Sequence, residues 1–191
     1  QQSYPLPFVD RVNYRIIKDE ATYLTALRTG QLDILEAIRW IAVDHLKETT
    51  PELQWNRWLA TGGQFISLRV DQKPFDDLRV RRALNLAVNQ QEIVDYFYGG
   101  HAELMAYPQH PEFGEYFEPL EAMPDAVQEL FTYDPEEARR LLDEAGVPEG
   151  FSFDLQVCSC SPSHMDLVPL LESYFSRVGL KTNIETMEYA S

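Results

Sequence analysis

The stretch at residues 72–100, QKPFDDLRVRRALNLAVNQQEIVDYFYGG, constrains the fold most, because it carries start and stop signals for two successive helices. Pro74 sets a turn, and Asp76 or Asp77 supplies the side-chain oxygen that a helix N-terminus needs for its unpaired N–H groups. Val80, Ala83, Leu84, Ala87 and Val88 then recur at the spacing that lays one apolar stripe along a helix. Asn89, with Glu92 three residues on, opens a second helix as a capping box. Ile93, Val94 and Phe97 extend its apolar face as far as Gly99-Gly100. Arg79, Arg81 and Arg82 fall mainly off the stripe and read as a solvated or ion-paired face.

Similar punctuation runs through the chain. At residues 134–146, Asp134 caps, Pro135 fits the first helical position and Glu137 completes a capping box. Ala138, Leu141, Leu142 and Ala145 form the buried stripe, and Gly146 with Pro148 ends the helix. A strand follows at 151–158, then a helix at 163–178 closed by Gly179, then a strand in LKTNIETM. Pro169 implies that this helix either starts late or kinks. Near the beginning, residues 12–17 and 32–38 read as strands on either side of a helix at 21–29 that Asp19 caps and Gly30 ends, a crossover unit. A short helix is predicted at 44–48, and QWNRWLA and QFISLRV read as strands divided by Gly62-Gly63. Residues 107–124, rich in proline, aromatics and acids, read as an irregular surface loop.

Composition removes several functions. A formal net charge of −15 over 191 residues opposes nucleic-acid binding, which depends on Lys and Arg neutralising phosphates, and disfavours anionic membrane surfaces. No apolar run approaches the roughly 20 residues that cross a bilayer. Cys158 and Cys160 share one face of a predicted strand end, where a disulfide would close a very small loop, so two thiols are the expectation.

Four separated motifs together resemble the family 5 extracytoplasmic solute-binding proteins. Pro74, Phe75, Asp77, Arg79, Val80, Arg81, Ala83, Leu84, Ala87 and Gly100 match that family's Pro-Phe-x-Asp-x-Arg-Val-Arg-x-Ala-Leu stretch, its following Ala and its Gly. Arg69, Val70, Asn89 and Gln90 depart from it. YDPEEARRLLDEAGVPEGF is similar to the family's scaffold helix, Val178 to Ile184 to its Leu-Gly-(Ile/Val)-x-Val strand entry, and Pro7 to Val12 and Leu27 to Asp33 to its opening motifs.

The resemblance implies a mixed α/β chain of periplasmic-binding-protein-like, two-lobe architecture, incomplete here. Residues 1–66 would form the middle segment of lobe one, with its strand-helix-strand unit and hinge-side strands, and residues 67–191 the start of lobe two. It implies a receptor without catalysis or cofactor, monomeric when whole, working in the periplasm or on the outer cell face. Such a receptor captures a peptide or related small solute between its lobes and presents it to the permease of an ABC importer. Ligand contacts carry over to Glu36, Ala37, Ile38, Arg39 and Gln64, and the hinge to Gly62 and Gly63. The residues that most often grip a peptide terminus would lie beyond Ser191.

For Glu36 and Arg39 the alternative is a surface ion pair, and for Trp40, Trp55 and Trp58 it is core packing rather than a pocket wall. Two other functions use the same short segment. Cys158, Cys160 and His164 are soft ligands for a metal-binding module, but they lack the paired spacing and fourth ligand of a structural zinc site. Ser161, His164 and Asp166 are the residue types of a hydrolase triad, but crowded into one helix start.

Overall fold

Helix boundaries follow the caps read from sequence. In the computed structural model, which describes residues 8–60, 63–104 and 110–189, Asp19 accepts a hydrogen bond from the Thr22 N–H at 2.8 Å and opens helix α1, Glu20–Arg28. Asp77 accepts from the Arg79 N–H and opens α3, Leu78–Leu86. Asn89 accepts from the Glu92 N–H at 3.0 Å and opens α4, Gln90–Glu92, which passes directly into a wider π-helical turn, Ile93–Phe97. Asp134 accepts from the Glu137 N–H at 2.9 Å and opens α6, Pro135–Glu144. Glu137 does not fold back as a capping box requires, because its carboxylate bonds Arg140 at 2.5 and 2.6 Å, one turn further on.

The chain divides into two compact units, Gln1–Gln54 and Trp55–Ser191. The first holds α1 and α2, Trp40–Thr49. Helix α2 starts well before the short helix predicted at 44–48. Its N-cap position is Arg39, whose side chain makes no capping bond, so the start carries no sequence signal. Residues 12–17 and 32–38 form no ladder among the described residues, nor do 54–60 and the described residues of 64–70. Among the described residues the strands β1, Ser152–Cys158, and β2, Lys181–Met187, pair only with each other. A strand needs a neighbour for its N–H and C=O groups and cover for its apolar face; among the described residues these segments have no ladder partner, and Val12, Tyr14, Ile16, Ile34, Phe65 and Val70 stay exposed. Tyr14 and Ile16, both 93% exposed, stand on one side of such an uncovered segment.

The second unit carries the larger core. The apolar stripe of α3 packs on α6, and α7, Pro162–Arg177, lies against both β1 and β2. Val80, Ala83, Leu84, Leu86, Leu141, Leu142, Leu171 and Phe175 form one buried cluster, with Phe153 meeting Phe75 and Phe175 edge-to-face at 5.6 and 5.7 Å. Strands β1 and β2 run parallel, Ser152 opposite Lys181 and Cys158 opposite Met187, so β1-α7-β2 is a crossover unit of the kind a parallel pair requires. Leu155 and Val157 of β1 pack with Val168 of α7, while Asp154 and Gln156 on the opposite face bond Asn183 and Glu185.

Helix α7 does not start late: it begins at Pro162 and runs through Pro169 to Arg177. Ser161 caps it through the His164 N–H, and the proline sits inside, depriving the Met165 carbonyl of its usual donor. Both α6 and α7 end at a glycine in the left-handed region, Gly146 (φ 76°) and Gly179 (φ 81°). In each, the N–H after the glycine bonds four residues before it, Val147 to Leu142 and Leu180 to Phe175, both at 3.0 Å.

Of the arginines read as a solvated or ion-paired face, Arg79 pairs with Asp77 at 2.6 Å and Arg82 with Glu129, and arginines also serve helix ends. Arg79 donates to the Glu144 carbonyl at 2.7 Å, the last turn of α6. Arg139 of α6 donates to the Arg177 carbonyl at 3.0 and 2.6 Å, the last turn of α7. Each satisfies a carbonyl that the helix end leaves unpaired, with a cation where the helix dipole is negative. Arg81 holds the Phe75 and Asp76 carbonyls of the loop before its own helix. Arg82 pairs with Glu129 at 2.5 Å, just after the short helix α5, Asp125–Gln128. Residues 111–122 of the predicted loop contain two 3-10 segments, and His110 beside them is buried, its Nε2 3.2 Å from the Leu59 carbonyl.

Candidate functional site

The segment preceding α2 carries four of the expected ligand contacts, and its backbone is unusual. Ala37 has φ 57°, the one non-glycine residue in the left-handed region among the described residues. An alanine held there costs free energy that its surroundings must offset, and such positions gather at functional sites. Its neighbours differ in exposure, with Glu36 and Ala37 exposed and Ile38 half-buried.

Arg39 is fixed rather than displayed. Its Nε donates to Glu20 Oε1 at 3.0 Å and its Nη2 to Glu20 Oε2, a two-pronged pair between the entry of α2 and the first turn of α1. The two side chains are 29% and 25% exposed, so the pair is partly shielded from water. Burial, then the Glu20 carboxylate, pushes the adjacent Tyr23 hydroxyl above its ordinary pKa. The ion pair weighed for Arg39 therefore exists with Glu20 as its acid. That partner lies 19 residues earlier in the chain.

Gln64 is exposed and lies in the second unit, as does Gly63. A Cβ on Gly63 would stand 3.1 Å from the ring of Phe65, so a side chain there meets an aromatic neighbour. Gly62 lies outside the described residues. Of the tryptophans, Trp40 is half-buried, Trp55 37% exposed and Trp58 58% exposed, so none of them is a fully buried core residue. Two surface hollows, of about 500 Å³ beside Asn89, Glu92 and Tyr96 and about 380 Å³ beside Arg15, Thr22 and Gln31, include none of Glu36, Ala37, Ile38, Arg39 or Gln64.

The segment weighed for metal and hydrolase chemistry is committed elsewhere. Cys158 and Cys160 form a disulfide rather than two thiols. The strand ends at Cys158 and the turn through Ser159 brings the two Cα atoms to 5.1 Å, a separation within the range that a disulfide bridges. Among the described residues, no three His, Cys, Asp or Glu side chains cluster closely enough to hold a metal ion. The Ser161 hydroxyl is the cap of α7, accepting from the His164 N–H.

A parallel β-α-β unit beside a helical layer defines a mixed α/β chain, and solved periplasmic binding proteins share this architecture. The ABC transporter-associated periplasmic binding protein DppA from Helicobacter pylori, solved with the peptide STSA, aligns over 92% of this chain and 32% of its own, with 25% identity and a TM-score of 0.72. The model of the bacterial extracellular solute-binding proteins, family 5 Middle, matches residues 4–191, and the chain belongs to that family. The chain is 31% identical to di/tripeptide-binding protein 1 of Pseudomonas aeruginosa over 95% of its length, and 28% identical to heme-binding protein A of Haemophilus influenzae, also over 95%. It spans about a third of both relatives, 33% and 32% of their lengths.

Proposed function

We propose that this chain is part of a receptor for an ABC importer, capturing a peptide or related small solute between two lobes and presenting it to the permease. Residues 1–66 belong to lobe one and 67–191 to lobe two, with Gly62 and Gly63, near the end of the first segment, as the hinge. The observation that carries the reading is the family match across residues 4–191, supported by a 31% identical relative named for di- and tripeptides. The periplasm or the outer cell face is the place of work. Among the described residues no helix is long and apolar enough to cross a membrane. No chemistry on the solute is required, so the captured solute leaves unchanged.

Within this reading Glu36, Ala37, Ile38 and Gln64 contact the solute. Arg39 holds the segment in place through Glu20, which supports the left-handed turn at Ala37. The chain spans about a third of its curated relatives, so the 191-residue chain alone binds the solute more weakly than the full-length receptor does. The test is mass-spectrometric identification of the solute that copurifies with the full-length receptor, followed by calorimetry with that solute. Glu36→Ala and Gln64→Ala each weaken binding about tenfold, the worth of one lost polar contact, with unfolding unchanged. A transformed product with turnover in solution, or unaltered affinity in both variants, contradicts the reading.

A further inference from the structure

The Cys158–Cys160 disulfide stands where β1 ends and α7 begins, and nothing in the fold requires it. A bond across three residues removes little freedom from the unfolded chain, since loop-closure stabilisation shrinks with loop length. The turn is held in other ways. The Ser159 N–H and hydroxyl both donate to the Met187 carbonyl at the end of β2, at 2.9 and 3.2 Å, and the Ser161 N–H donates to the Cys158 carbonyl at 3.3 Å. The two sulfurs also differ. Cys160 is exposed, whereas Cys158 is half-buried and its Sγ accepts the Cys160 N–H at 3.2 Å.

We propose that this pair is a thiol–disulfide exchange site that takes electrons from a dithiol. A thiolate of the dithiol attacks the exposed Cys160 Sγ, a new S–S bond forms to the reductant, and the Cys158–Cys160 bond breaks. Its electron pair leaves on Cys158 Sγ, which takes up a proton. The second thiolate of the dithiol then attacks the mixed disulfide at the reductant's own sulfur, releasing Cys160 as a thiolate that is protonated in turn. The protein disulfide gains two electrons and two protons, and the dithiol becomes a cyclic disulfide.

The direction of attack follows from the geometry. The departing Cys158 sulfur keeps the Cys160 N–H as a donor at 3.2 Å, which favours a thiolate there, and the attacked sulfur belongs to Cys160, the exposed residue of the pair. One hydrogen bond of ordinary net strength favours Cys158 as the leaving sulfur about fivefold. Because Ser159 and Ser161 hold the turn without the sulfurs, opening the bond leaves the β1-β2 register intact.

The experiment treats the full-length oxidised protein with graded ratios of reduced to oxidised dithiothreitol under native conditions, then alkylates free thiols and weighs the intact chain. Alkyl groups are expected to enter at Cys158 and Cys160, located by peptide mapping, with the far-ultraviolet circular dichroism and thermal midpoint unchanged. Single-cysteine variants then read the direction. With glutathione disulfide, the thiol remaining in Cys158→Ser, which is Cys160, forms its adduct faster than the thiol remaining in Cys160→Ser. A bond that opens only in urea overturns the proposal, as does a thermal midpoint that falls on reduction, or an adduct that forms faster at Cys158. Protein isolated as two thiols that oxidised dithiothreitol does not close overturns it as well.

Discussion

The units Gln1–Gln54 and Trp55–Ser191 use the same helix-capping chemistry and reach very different degrees of burial. Each opens a helix on an aspartate, Asp19 for α1 and Asp134 for α6, and each has a helix that ends at a left-handed glycine, Gly30 and Gly146. In the second unit those helices stack on one another and on a strand pair. In the first, the buried residues among those described are Ala26, Leu27, Leu46 and Thr50, while Val12, Tyr14, Ile16 and Ile34 face solvent. Local signals make helices, but a strand becomes a strand only when another segment covers it.

Core substitution gives the largest test of that contrast. Phe175→Ala removes a fully buried ring that meets Phe153 and lies in the α3-α6-α7 cluster, and should cost about 3–5 kcal/mol in urea unfolding of the 191-residue chain. Ile16→Ala, at a position 93% exposed, should stay within about 0.5 kcal/mol. Similar costs at the two sites would mean that residues 12–17 are covered in solution, and the contrast would collapse.

A smaller effect belongs to the arginine that ties α6 to α7. Arg139→Ala strips both donors from the Arg177 carbonyl and should cost about 1–2 kcal/mol, with Arg139→Lys recovering part because one donor remains. Equal losses in the two variants would mean that the two-pronged geometry, rather than the charge at the helix end, carries the contribution. No change in either would show the clamp to be ornamental to stability.

Legibility in the sequence follows the range of each interaction. The caps at Asp19, Asn89 and Asp134 act over three residues and the cap at Asp77, one of two aspartates the sequence offered, over two, and the stripes of α3 and α6 recur within one helix. Their signals therefore lie in adjacent letters. The Arg79–Glu144, Arg139–Arg177 and Arg39–Glu20 contacts join residues 65, 38 and 19 apart, and no spacing rule announces them. At the candidate site, Glu36 to Arg39 were legible only through family resemblance. The left-handed turn at Ala37 was not, because alanine carries no preference for that region. Strand propensity at 12–17 and 32–38 was legible, but propensity describes fitness for a sheet and does not supply one.

The smallest effect compares two aspartate caps. Asp19 is held below its ordinary pKa mainly by the Thr22 hydroxyl, a neutral donor. Asp77 is lowered from 3.8 to about 2, first by hydrogen bonds from the Arg79 guanidinium and then by the Arg79 N–H. In the interval between those two values the unfolded chain binds more protons than the folded one, so stability rises with pH there. The Asp77 contribution is complete above 3.8 and is lost as pH falls through about 2. Asp77→Asn keeps a good capping oxygen but no titrating group. The difference between wild type and variant in urea midpoint should therefore be constant above 3.8, shrink through the interval and level off below about 2. A difference that stays flat on acidification would assign the Arg79 contact no net electrostatic role, which is the outcome to expect of a pair screened by water, and would leave Asp77 equivalent to Asp19 as a simple cap.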